Sequence, residues 1–128
     1  MYTYDGVMVR ELLVPPIPWG MGDVGVQRVL ARASVAFVAR QITTAATGTD
    51  LIHSVAIGQH AFAAQEVAEQ RGIPHFVQLI GGDVTCLDQS VARSLSFRMR
   101  TRKITGFIAN SRSLAETFEQ VTGLELPI

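Results

Sequence analysis

Short apolar segments alternate with helix-length segments along this chain, and that alternation restricts its fold more than any other feature. Segments of strand length that are rich in Val, Ile and Leu occur at 7–14, 51–55, 75–80 and 104–109. Helical spacing of apolar residues follows at 24–44, 59–71, 87–100 and in a last segment that ends near Gly123. Because parallel strands need long crossovers, which helices supply, the pattern predicts βαβ units and an α/β fold.

The ends of the elements carry their own signals. Gly72 and Pro74 predict the end of the helix at 59–71, since glycine suits a left-handed C-cap and proline cannot continue a helix. Ser113 and Glu116 have the spacing of a capping box for the last helix. Buried parallel strands need packing on both faces. We therefore expect three layers, a mainly parallel sheet with helices on both faces, in a single partial Rossmann-like domain over 1–128.

Composition restricts the function classes. The 128 residues are 48% hydrophobic and carry a formal net charge of zero, so a folded core is expected and an attraction to nucleic acid is not. No signal-peptide pattern and no apolar run of the ~20 residues needed to span a bilayer occur, which favours a cytoplasmic protein. The single cysteine, Cys86, cannot form an internal disulfide and has no metal-ligand spacing around it. We expect neither a metal nor a cofactor.

A turn after the strand at 75–80 holds the main candidate site residues. Gly81, Gly82 and Asp83 fall at the carboxyl end of that strand, where open α/β sheets bind ligands. Glycines there let a ligand approach the backbone, and Asp83 can accept hydrogen bonds from hydroxyl groups. The alternative is a tight turn in which Asp83 caps the next helix. His53, on the neighbouring predicted strand, is expected to approach the same crevice; its alternative is a structural role in the strand.

A basic run and a glycine pattern remain open to two interpretations each. The basic run favours either a helix C-terminus or a surface for anionic lipid or phosphate, and it comprises Arg93, Arg98, Arg100, Arg102 and Lys103. Gly20, Gly22 and Gly25 match G-x-G-x-x-G, which is typical of dinucleotide binding. Five residues separate them from the strand and no acid ends the next strand, so a flexible loop is the favoured interpretation.

Four motifs occur in an order that carries a family resemblance: D-L-I-H at 50–53, G-I-P at 72–74, V-Q-L-I-G-G-D at 77–83 and G-F-I-A-N-S at 106–111. This set resembles the N-terminal domain of glycosyltransferase family 4, which has the two-domain GT-B architecture. The resemblance implies transfer of a sugar from a nucleotide-sugar donor to an acceptor, with this chain on the acceptor side. It also implies that His53, Gly81 and Asp83 match positions that bind substrate in the family.

The chain departs from the family pattern in several places. Val55 and Ile80 stand where the family has histidines, and the first strand, its glycine-rich loop and the donor-binding domain have no counterpart. We therefore expect a glycosyltransferase part that is inactive alone, with no catalytic residue assigned. It would act with a second chain that carries the donor domain, or as a homo-oligomer, in peripheral contact with the inner face of the membrane if the basic run binds lipid. The alternative is a non-catalytic α/β module that binds a partner or ligand.

Overall fold

The computed structural model describes residues 2–13 and 25–128. It is a mixed α/β structure in which helices flank a three-stranded parallel sheet. The strands are β1 (Tyr2–Tyr4), β2 (Val7–Val9), β3 (Ile52–Val55), β4 (His75–Leu79) and β5 (Gly106–Ala109). The helices are α1 (Gly25–Ala45), α2 (Gln59–Arg71), α3 (Gly82–Thr85), α4 (Gln89–Ala92), α5 (Leu95–Lys103) and α6 (Arg112–Thr122).

The parallel sheet has the order β3-β4-β5, which confirms the predicted strands at 51–55, 75–80 and 104–109. Ser54 pairs with Val77, and Val77 with Phe107, so these three side chains share one face. The next row, Val55, Gln78 and Ile108, shares the opposite face. Beyond β5, the Phe107 amide donates to the Pro127 carbonyl over 2.8 Å, so the C-terminal residues line the outer edge of that strand.

The predicted parallel strand at 7–14 is wrong. β2 pairs antiparallel with β1 as a separate two-stranded hairpin, and residues 10–13 contain no strand. Asp5 and Gly6 form the turn with φ of 48° and 77°, the left-handed conformation of a two-residue hairpin loop. A two-residue loop closes at a lower entropic cost than a helical crossover, so the local pairing wins.

The helices at 24–44 and 59–71 are confirmed as α1 and α2. Gly72 ends α2 with φ 65°, and its amide bonds to carbonyls of the last turn, as the glycine signal predicts. The predicted helix at 87–100 is instead two short helices, because Asp88 and Ser94 each cap a new N-terminus. Ser94 accepts the Phe97 amide, which restarts the chain as α5 with a new direction.

Helices α1 and α2 run parallel to each other. Ser34 donates to Gln59 near the start of α2, while Arg71 at its end donates to the carbonyls of Thr43 and Ala46. Their shared cluster includes Val35 and Val38 of α1 and Val67 of α2, with Ile52 of β3 packed against it. α1 therefore lies beside α2, on the flank of the sheet that β3 borders.

The core lies on one face of the sheet, which corrects the expectation of helices on both faces. Val77 and Phe107 are 0% and 4% exposed, and they pack with Phe62 of α2 and Phe118 of α6. On the opposite face Val55 and Ile108 are 53% and 48% exposed, so no described helix covers it. The strands alternate buried and exposed side chains, the pattern of a sheet packed on one side.

The N-cap of α6 supplies a direct test of this description. The Ser111 hydroxyl accepts the Leu114 amide over 3.1 Å, so the cap is Ser111 and the capping box predicted at Ser113 is wrong. We expect Ser111→Ala to lower the free energy of unfolding by about 1 kcal/mol. Ser113→Ala, two residues away and exposed, should change it by a few tenths at most, about the range of neutral surface substitutions. Urea denaturation measures both, and equal losses would contradict the assignment.

Candidate functional site

The Asp83 carboxylate ties two βα loops together at the carboxyl end of the sheet. One oxygen, Oδ1, accepts the amides of Ile80 and Gly81 at 3.1 and 2.9 Å. The other, Oδ2, accepts the amide of Ile57 at 2.9 Å, in the loop between β3 and α2. Asp83 is therefore not the cap of the following helix, since the α3 N-cap is Gly81 and no side chain caps it. The carboxylate instead holds the loop after β4 against the loop after β3.

The two glycines beside Asp83 differ in why they could be needed. Gly81 has φ 124°, a backbone conformation that other residues rarely adopt, so the turn itself requires glycine there. Gly82 begins helix α3, and a Cβ built on it would meet no atom within 4 Å. Neither backbone strain nor crowding within the chain requires glycine at position 82. The space above Gly82 is open to an approaching molecule.

His53 lies on β3, paired with Phe76, and not at the end of its strand. Its neighbour Ser54 is buried under α2, so the exposed His53 side chain points to the open face of the sheet. No hydrogen bond joins His53 to Asp83 in the described chain. The structure thus gathers Gly81, Gly82 and Asp83 in one loop and places His53 apart from them; a shared ligand site for all four stays a prediction.

A buried histidine that sequence reasoning left without a role, His75, links several elements. Its Nε2 lies 2.8 Å from the Ser54 hydroxyl and its Nδ1 lies 2.9 Å from Oε1 of Gln65. The Gln65 amide nitrogen donates to the Lys103 carbonyl, which directs Oε1 toward the imidazole. Nδ1 therefore carries the proton of the neutral ring, and Nε2 accepts from Ser54. The His75 amide donates to the Thr105 hydroxyl, and the Thr105 amide donates to the His75 carbonyl, so this network joins β3, β4, α2 and the residue before β5.

Burial makes the charged imidazole unfavourable at this position. Burial, with smaller contributions from the nearby His53 and His60 rings, lowers the pKa of His75 from 6.5 to about 4. The Ser54 hydroxyl is 8% exposed at the residue level, so the Ser54–His75 pair is closed to a substrate. A serine hydroxyl beside a histidine ring is also the arrangement of a nucleophile and its base, but here the pair is buried and its role is structural.

The basic run is divided among different contacts. Arg93 donates to the Gln120 carbonyl in the last turn of α6, Arg100 lies 5.6 Å over the Phe62 ring, and Lys103 pairs with Glu69 at 3.5 Å. The helix-dipole interpretation fits Arg93 and the last turn of α5. Arg102 is exposed, so these four cations of the run have four different surroundings in the described chain.

Two concavities formed by described residues lie away from the candidate loop. One of about 360 Å³ lies beside the end of α6 and is lined by Glu116, Glu119, Gln120, Gly123, Leu124 and Glu125. The other, of about 100 Å³, lies between α2 and α5. Within residues 2–13 and 25–128 no three His, Cys, Asp or Glu side chains are grouped to hold a metal, and no helix could cross a membrane. Gly20 and Gly22 of the glycine pattern lie outside the described residues.

Comparisons with protein-family models, with curated proteins and with solved structures find no match to this chain.

The hydrogen bonds that Asp83 makes to two loops predict how much the free energy of unfolding falls when its carboxylate is removed. Three amides lose a charged acceptor in Asp83→Ala, and we expect the free energy of unfolding to fall by about 2–3 kcal/mol, above the ~1 kcal/mol of a lost cap. Asp88→Ala is the matched control, because Asp88 is an exposed aspartate that caps α4. Urea denaturation gives both losses, and amide exchange at Ile57 should accelerate in Asp83→Ala alone. Equal losses of stability in Asp83→Ala and Asp88→Ala, with unchanged amide exchange at Ile57, would contradict the assigned role of Asp83.

The neutral His75 predicts loss of stability in acid. Between pH 6.5 and 4 the unfolded chain binds a proton at His75 that the folded chain does not, so stability falls as pH falls. From pH 7 to pH 4.5 this histidine should remove about 2–3 kcal/mol from the free energy of unfolding. His75→Gln, which cannot titrate, should lose that much less over the same interval. Equal losses for the two proteins would contradict the buried neutral ring.

Proposed function

We propose that this chain is the acceptor-side part of a glycosyltransferase that moves a sugar from a nucleotide-sugar donor to an acceptor. The observation that carries the proposal is Gly82, a glycine that the chain does not require for its own backbone or packing. It lies after the strand β4, in the loop position where open α/β sheets bind ligands. A glycine at such a point is explained by a ligand that approaches the backbone closely.

Asp83 would act beside Gly82 as a positioning residue with one remaining contact to offer. An ionised carboxylate accepts about four hydrogen bonds, and three amides occupy Asp83. The remaining acceptor site suits one hydroxyl group of an acceptor sugar or polyol. Because the same carboxylate holds the β3 and β4 loops together, Asp83→Ala in the complete enzyme should lower turnover through the loop position as well as through this contact.

The two histidines that the resemblance implies near this loop are absent. Ile80, 48% exposed, and Val55 stand at those two positions. The ring of His60 is engaged, with Nε2 2.9 Å from the Val55 carbonyl. Asp83 is the carboxylate of the loop, and three amides already occupy it. We therefore propose that the chain does not transfer sugar alone and that donor binding requires another domain.

Contact with an anionic membrane belongs to the same proposal. Leu95 and Met99 are 73% and 53% exposed on the outer face of α5, with Arg102 at the next helical position. A cation near an anionic surface contributes about 1 kcal/mol, and the two apolar side chains would enter the interface beside it. In this proposal the acceptor of such an enzyme would lie at a lipid surface, on the cytoplasmic side.

The second candidate function is a non-catalytic module that binds a partner or a small ligand. Two observations favour it: the open face of the sheet, with Val55 and Ile108 about half exposed, and the isoleucine at position 80. In this alternative Gly82 would contact a ligand that is bound and not transformed. The two candidates differ in whether a donor-binding domain restores activity.

A ligand survey with two loop variants tests the acceptor site. We expect millimolar methyl glycosides to shift the amide resonances of Ile57, Gly81 and Gly82 in ¹H–¹⁵N spectra. Gly82→Leu should abolish those shifts without loss of stability, because its side chain would occupy the open space. Gly82→Ala, which adds one methyl group there, should weaken them. Unchanged shifts in Gly82→Leu would contradict ligand approach at this glycine.

Calorimetry with uridine, guanosine and adenosine diphosphate sugars tests whether this chain binds the donor. We expect no heat of binding to the chain alone, because the donor side is held by a different domain in the resembled architecture. A dissociation constant in the micromolar range for the isolated chain would place the donor on these residues and contradict the acceptor-side proposal. Shifts caused by glycosides, with no sugar transfer after a donor domain is supplied, would favour the binding module.

A further inference from the structure

Strand β3 presents a row of outward backbone groups at the edge of the sheet. The amides of Ile52 and Ala56 donate to carbonyls of the β4 side at 3.0 and 2.8 Å, so the intervening His53 and Val55 direct their backbone groups away from β4. The Val55 carbonyl accepts from the His60 ring. In the described part of the chain, the N–H and C=O of His53 and the N–H of Val55 have no hydrogen-bond partner. Such an edge accepts another strand.

An apolar surface of helix α1 borders this edge. Val29, Leu30 and Phe37 are 66%, 50% and 45% exposed, on the side of α1 opposite Val35 and Val38, which are buried against α2. α1 lies on the β3 flank of α2, so this exposed apolar surface and the open β3 edge belong to the same flank of the described structure.

The hairpin of β1 and β2 has exposed apolar side chains, whereas β3 has an edge without a neighbouring strand. Tyr2, Val7 and Met8 are 54%, 64% and 70% exposed, and a two-stranded hairpin with no covered face is marginally stable in water. Its connection to the body includes Leu13, whose backbone N–H and C=O bond to the Gln41 amide at 3.0 and 2.9 Å. The hairpin therefore presents apolar side chains and strand edges without packing them.

The two hydrogen bonds with Gln41 hold Leu13, four residues after the hairpin, near the carboxyl end of α1. Gln41 lies in the last turn and a half of α1, which ends at Ala45 and leads toward the amino end of β3. A strand that precedes α1 in a βαβ unit would instead run parallel to β3 and end beside its carboxyl end. Within residues 2–13 and 25–128 the structure thus shows an exposed apolar hairpin and an open β3 edge that are not paired with each other.

We propose that a second copy of this chain supplies the missing strand. The hairpin of one copy pairs through β2 with the β3 edge of the other, and its apolar side chains cover the α1 surface of Val29, Leu30 and Phe37. Neither Val7–Val9 nor Ile52–Val55 contains Asp, Glu, Lys or Arg, so no repulsion between such side chains opposes the pairing. The exchange is reciprocal, which makes the interface a closed two-fold dimer.

Light scattering after size exclusion, on the full chain at 100 µM, tests this exchange. We expect twice the chain mass of 13.9 kDa. Met8→Glu, in the hairpin, and Val55→Pro, which removes an outward N–H but no ladder bond, should each shift the protein toward monomer, with dissociation constants raised at least tenfold. Leu95→Glu, an equally exposed apolar residue on α5, is the control and should remain dimeric. Phe37→Glu repeats the test on α1 should Val55→Pro fail to fold.

Mixing the two variants separates exchange from other interfaces. Met8→Glu chains keep an intact β3 edge and Val55→Pro chains keep an intact hairpin, so the mixture should form a heterodimer through one hairpin. A dimeric Met8→Glu protein would show that the hairpin is not the occupant and would overturn the proposal. Monomeric wild-type protein at 100 µM would overturn it as well, leaving the edge for the chain's own hairpin or for a strand of another protein.

Discussion

One buried imidazole holds the amino end of the parallel sheet in place. His75 joins the Ser54 hydroxyl of β3 to the Gln65 side-chain amide of α2. The nitrogen of that amide donates to the carbonyl of Lys103, which precedes β5. Each group has one donor and one acceptor role that its neighbour satisfies, so the network is buried without an orphaned polar atom among these side chains. The register of β3 against β4 and the seat of α2 on both strands depend on that arrangement.

The opposite end of β4 is held by a different kind of group. The Asp83 carboxylate accepts from three backbone amides in a partly exposed loop. The His75 network, by contrast, consists of neutral groups in the core. The two ends therefore differ in their access to solvent, and the carboxyl end, with Gly82 beside it, is the end a ligand can reach. The buried network and the candidate loop lie at opposite ends of one strand, so a change at His75 need not disturb the candidate loop directly.

Much of the fold could be predicted from local signals, and the errors have physical causes. Helix α2 was predicted to the residue because Gly72 and Pro74 mark its end, and the three parallel strands followed from apolar runs between helices. The hairpin breaks the strand–helix alternation because Asp5 and Gly6, both with positive φ, turn the chain back within two residues. The role of His75 was not visible because Ser54 and Gln65 lie 21 and 10 residues away in sequence, and only the fold brings them together.

The two borders of the sheet are unequal. At β5 the Phe107 amide is taken by the Pro127 carbonyl, and Gly106 lies so close to Phe76 and Pro127 that a Cβ there would meet atoms at 3.0–3.3 Å. Proline has no N–H to offer a further strand. The two borders are therefore unequally available to an added strand: the C-terminal residues already occupy part of the β5 border, whereas the outward N–H and C=O of His53 at the β3 border have no hydrogen-bond partner in the described part of the chain.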